Sequence, residues 1–86
     1  MKLNAENLEA ELTKAGYLYA IKDVETYISD LTSIINKKRK KVVYYLLYTD
    51  GKILETVLRK FGFKVETISF LDSGIKYIAY QVTATM

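Results

Sequence analysis

The sequence predicts a small α+β domain in the order helix, helix, strand, helix, strand, strand, with a mixed three-stranded sheet packed against the helices. Three observations predict it. Apolar residues recur at the helical period of 3.6 over residues 24–35 and again over 53–61. The run Val42 to Tyr48 is aliphatic and aromatic without interruption. The segment from Phe63 to Thr83 divides into two strand-like runs around Asp72-Ser73-Gly74. At 86 residues the chain has the size of one domain, 1–86.

Residues 4–15 read as the first helix. Asn4 is placed to accept from the free backbone N–H groups of the first turn. Leu3 before that cap and Leu8 inside the helix have the spacing of a hydrophobic staple. Glu6, Glu9 and Glu11 lie toward the positive end of the helix dipole and Lys14 at the negative end. Gly16 stands where a left-handed residue ends a helix, with apolar Tyr17 after it. The apolar stripe is thin (Ala5, Leu8, Leu12 and Ala15), so this helix reads as a lid at the domain edge.

Tyr17 to Ile21 reads equally as a short strand or a linker. Asp23 is the expected cap of the second helix, whose apolar positions are Val24, Tyr27, Ile28, Leu31, Ile34 and Ile35. That helix runs toward Lys37-Lys38-Arg39-Lys40-Lys41. Val42 to Tyr48, apolar on both faces, reads as a central strand. Asp50-Gly51 is a turn signal, so strand, tight turn and helix are expected, with Thr49 or Asp50 as cap. Ile53, Leu54, Val57, Leu58 and Phe61 form the apolar stripe of this third helix. Lys52, Glu55, Thr56, Arg59 and Lys60 are expected on its solvent side. Gly62 ends it, Phe63–Phe70 reads as a strand, and Ile75–Thr83 returns antiparallel with Ile78, Tyr80 and Val82 on its more apolar face. A parallel placement of 42–48 beside 63–70 needs a right-handed crossover through the third helix.

Composition narrows the chemistry. There is no cysteine and no histidine. Thiolate and imidazole metal sites, disulfides, iron–sulfur clusters and every triad built on a histidine base are therefore closed. No phosphate-binding glycine loop or dinucleotide fingerprint occurs. No cofactor, metal or small-molecule substrate is implied, and the chain is expected not to be an enzyme. Asp50-Gly51-Lys52 has the acid and lysine of a histidine-free nuclease, but it coincides with a turn signal and has no second acid near it. The longest apolar run falls far short of the roughly 20 residues that span a bilayer. Nothing resembles an export signal. A soluble protein of the cytoplasm is expected.

Two groups of residues are candidates for function. The formal net charge is +3, yet residues 1–36 hold three lysines against six acids, and the basic excess is the pentapeptide Lys37 to Lys41. Such a run suits phosphates of nucleic acid; it equally suits a helix C-terminus, where cations oppose the dipole. The second group is tyrosine. Tyr44 and Tyr48 share one face of their strand, Tyr45 takes the other, and Tyr77 and Tyr80 point opposite ways on the last strand. Such rings pack in a core or at a protein interface, or stack on bases. The segment from Ile53 through Thr83, with its helix, Gly-Phe, strand, Asp-Ser-Gly and strand, loosely resembles a module of small virus-encoded chains. It contains no motif with chemistry, so the resemblance implies no activity.

Half of the residues are hydrophobic in a chain too short to bury most of its surface. Three helices do not cover both faces of an apolar sheet, and surplus apolar surface marks a contact site. The expected function is a macromolecule-binding module, self-associating through the tyrosine-bearing sheet face or by edge pairing of the last strand. The alternative is nucleic-acid binding through Lys37 to Lys41.

Overall fold

A computed structural model describes residues 2–17, 20–71 and 78–86. Its elements are α1 (Ala5–Lys14), α2 (Ala20–Ile35), β1 (Val42–Leu47), α3 (Tyr48–Lys60), β2 (Lys64–Leu71) and β3 (Ile78–Thr85). The expected element order and the α+β class are therefore present. At the start of α1, Asn4 Oδ1 accepts from the Asn7 amide at 2.8 Å. Leu8 and Leu12 are its fully buried positions.

Two boundaries differ from expectation. α2 begins at Ala20, ahead of Asp23, so Ala20 and Ile21 are helical and not strand. β1 passes straight into α3 with Leu47 as its cap and no side-chain capping bond. Asp50-Gly51 thus lies inside a helix. Asp50 contributes a negative charge to the first turn, and Gly51 is there for a packing reason given below. The turn expected at Asp72-Ser73-Gly74 lies outside the described residues.

The sheet order is β1-β3-β2. β3 pairs antiparallel with both neighbours, Val42 opposite Ala84 on one side and Val65 opposite Ala84 on the other. The hairpin of the last two strands is as expected, but the mixed sheet is not. β1 and β2 run the same way, yet β3 lies between them and every pairing is antiparallel. β1 is consequently an edge and β3 the centre, which also closes off edge pairing of the last strand. The misreading has a clear origin. Valine, tyrosine and leucine suit any pleated surface, and their presence on both faces of β1 does not report a central position.

All three helices lie against one face. α3 packs on all three strands, α2 on β1, and α1 on α2 and α3. Facing them, the sheet buries Val42, Val65, Tyr80, Val82 and Ala84. Leu8, Leu12, Leu31, Leu54, Val57 and Leu58 complete the core from the helices. No helix among the described residues is long and apolar enough to cross a membrane.

Gly51 of α3 lies directly against Tyr80 of β3. A Cβ at residue 51 would collide with Tyr80 Cδ1 and come within 2.9 Å of its Cβ and Cγ. Tyr80 is itself buried on the central strand, so neither backbone has room to withdraw. Gly51→Ala is expected to cost about 2–3 kcal/mol, as overpacking of a filled core does. Urea unfolding measures this; a loss below about 0.5 kcal/mol would show that the helix shifts freely over the sheet.

Candidate interaction surface

The face of the sheet away from the helices has no cover among the described residues. Strand alternation assigns its residues: Val43, Tyr45 and Leu47 on β1, Gln81 and Thr83 on β3, and Lys64, Glu66 and Ile68 on β2. Tyr45 is 68% exposed, Leu47 53% and Ile68 52%. Tyr45 and Ile68 both pair across Gln81, so the two lie in one row. Toward one end, Lys64 pairs with Thr85 and Lys41 precedes Val42 opposite Ala84. The face thus sets exposed apolar side chains on either side of polar Gln81 and carries lysine at one end.

The expected tyrosine sites separate into three environments. Tyr45 alone stands on the open face. Tyr44 lies on the helix side, its ring edge-on to Tyr27 at 4.8 Å and its hydroxyl donating to Asp30 Oδ2 at 3.0 Å. The hydroxyls of Tyr17 and Tyr27 meet at 2.8 Å beside this group. Tyr48 belongs to α3 and is edge-on to Tyr80 at 5.3 Å. The Tyr48–Tyr80 contact and the burial of Tyr44 give these three rings packing work. Tyr77 lies outside the described residues.

Beneath the Tyr48–Tyr80 pair is a carboxylate that its position in the sequence does not announce. Glu55 falls on the expected solvent side of α3, yet is 8% exposed. Tyr80 donates to Glu55 Oε1 at 2.8 Å, and Arg59 Nη2 lies 3.0 Å from Oε2. Lys52 Nζ is 3.8 Å from Oε1 and sits 5.5 Å from the centre of the Tyr80 ring. Tyr80 first, then Tyr48 and the Glu55 carboxylate, hold the Lys52 ammonium above the ordinary lysine range. Both oxygens of Glu55 are engaged, so this cluster fastens α3 to β3. Among the described residues no group of three or more acids is placed to hold a metal ion.

The basic run is not on a helix. α2 ends at Ile35 with no cation in its last turn. Lys37 adopts φ 60°, its amide donates to Ile34 O at 3.0 Å, and the Lys38 amide donates to Ser33 O at 2.8 Å. This pair of bonds is a Schellman ending with lysine at the left-handed position. α1 and α3 end the same way through Gly16 and Gly62, each at φ 92°. Arg39 turns back to Asp30 at 3.3 Å. Lys37, Lys38, Lys40 and Lys41 are exposed and make no ion pair among the described residues. The run therefore does not fan around a helix axis; it is a loop that delivers free charge to the start of β1.

Compared with known proteins, the chain matches no family model, no curated protein and no solved structure.

Two outcomes follow from this geometry. Lysine in the left-handed region costs about 1 kcal/mol relative to glycine, so Lys37→Gly is expected to stabilise the fold by about that amount in urea unfolding. A destabilised variant would contradict the Schellman ending. Burial first, and the Asp30 carboxylate second, push the Tyr44 phenol well above the ordinary 10. The folded chain holds that proton where the unfolded chain releases it. The stability it contributes is complete below pH 10 and is lost as pH rises beyond it. Between about pH 8 and about pH 11, Tyr44→Phe is expected to lose less stability than the parent chain. Equal losses in the two would contradict this.

Proposed function

We propose that the chain is a protein-interaction module that self-associates, with the uncovered sheet face and its β1 margin as the contact surface. One observation carries the reading: Tyr45, Leu47 and Ile68 are each more than half exposed on a face that no helix among the described residues covers. Scattered exposed apolar side chains are ordinary, but three gathered on one sheet face, two of them on an uncharged edge strand, make a contact patch. Removing such surface from water contributes about 25 cal/mol per Å². Among the residues with described exposure, Tyr45 is the one exposed ring of the patch beside aliphatic Leu47 and Ile68, which suits a protein more than a row of bases.

The free lysines support a second reading, in which the loop at Lys37 to Lys41 holds nucleic-acid phosphates. The two readings respond oppositely to salt. Phosphate binding weakens steeply as salt rises, whereas apolar burial is insensitive or strengthens.

Sedimentation over a range of protein and salt concentrations is expected to show a concentration-dependent rise in mass that persists at high salt. Leu47→Lys and Ile68→Lys are each expected to weaken association about tenfold or more with little change in monomer stability. A monomer at every concentration would overturn the self-association reading. Salt-sensitive retention of single-stranded nucleic acid, lost on replacing Lys37, Lys38, Lys40 and Lys41 with alanine, would install the second.

A further inference from the structure

The basic loop before β1 works against the fold in two ways. At the end of α2 a lysine holds φ 60°, where α1 and α3 make the same turn with glycine. Glycine adopts that region freely and a residue with a side chain does not. Around Lys37, the like charges of Lys38, Lys40 and Lys41 repel one another. All four lysines are exposed, and none has an ion pair among the described residues. A strained backbone that carries uncompensated charge is the mark of a functional segment.

The loop is also fixed in place. The amides of Lys37, Lys38 and Arg39 donate to Ile34 O and Ser33 O. Arg39 is drawn back onto Asp30 at 3.3 Å, so the one arginine of the run anchors it and the four lysines stay free. The sheet brings a fifth. Val42, directly after Lys41, pairs with Ala84, and Lys64 of β2 pairs with the adjoining Thr85. The loop and Lys64 therefore reach the same end of the sheet, two strand spacings or about 10 Å apart. Lys64 is exposed and likewise has no ion pair among the described residues.

The chemistry of these groups selects the partner. Protein interfaces are poor in lysine and anchored by aromatic residues and arginine. Here the arginine is engaged with Asp30, and the exposed ring of Tyr45 lies about 13 Å along the strand from Lys41. A polybasic segment holds a membrane only with an apolar anchor beside it, and residues 37–41 contain none. Closely set ammonium groups suit the phosphates of a nucleic-acid strand, whose counterions they release.

We propose that the lysine end of the sheet is a phosphate-binding site for a nucleic-acid strand, in which Lys64 of β2 completes the set of Lys37, Lys38, Lys40 and Lys41. This rests on the second reading of the loop and extends its site across the sheet. It needs no second copy, because all five lysines belong to one chain.

Fluorescence anisotropy with a labelled oligothymidine over a range of salt tests it. Five lysine–phosphate contacts are expected to give log affinity a slope of about −3.5 against log salt, at about −0.7 per contact on a single strand. Lys64→Ala is expected to reduce that slope by about 0.7 and to weaken binding about threefold, with urea unfolding unchanged. Lys64→Arg, which keeps the charge, is expected to bind as the parent does. Glu66→Gln, which removes the acid two residues along β2, is expected to tighten binding about twofold. Lys37→Gly is expected to weaken binding while it stabilises the fold, which separates a ligand contact from a structural one. Lys64→Ala with slope and affinity unchanged would overturn the shared site; if the loop lysines still govern binding, the loop reading stands without it. No salt-sensitive binding at about 50 mM salt, with or without binding to phosphatidylserine vesicles, would overturn both.

Discussion

The insertion of β3 between β1 and β2 is the constraint on which the rest of this domain depends. Neither outer strand touches the other, so each is held in the sheet only through the last strand. Tyr80 sits at the middle of that arrangement: it is buried on β3, covered by the glycine of α3, and bonded to the carboxylate of Glu55. Arg59 closes the cluster by pairing with Glu55 and donating to Val65 O on β2 at 3.1 Å. One helix is thereby tied to two strands through three side chains. A buried carboxylate is costly unless its oxygens are satisfied, and here they are satisfied by groups from both layers.

With α2 and α3 laid on one face and α1 behind them, no helix among the described residues is left for the other side. Tyr45, Leu47 and Ile68 on that opposite face are more than half exposed. The Schellman ending at Lys37 turns the chain off α2, and the exposed lysines that follow lead into the start of β1.

Much of this was legible in the residues. Helix ends were the clearest: Asn4 and Gly16 each do what their chemistry favours, and Gly62 ends α3 as glycine should. Helical spacing placed Val24, Tyr27, Leu31 and Ile34 correctly in the core. The strand order was not legible, because Val42–Leu47 has the same composition whether central or at an uncovered edge. Gly51 reads as a turn beside Asp50, since the sequence does not show that Tyr80 will press on it from a strand nearly thirty residues away. Glu55 was hidden for the same reason: its partner hydroxyl comes from β3. Lys37 carries no local sign of a left-handed conformation. What sequence pattern misses here is contact between residues far apart along the chain.

Hydrogen exchange measured on dilute and concentrated protein tests the account most directly. Amides of β1 that point away from β3 have no strand partner among the described residues, and a second copy seated on this margin would supply one. The account predicts that protection within Val42–Leu47 rises with concentration while that of Lys64–Leu71 on the other edge stays constant. Protection in β1 that is the same at both concentrations, or a rise confined to β2, would contradict it.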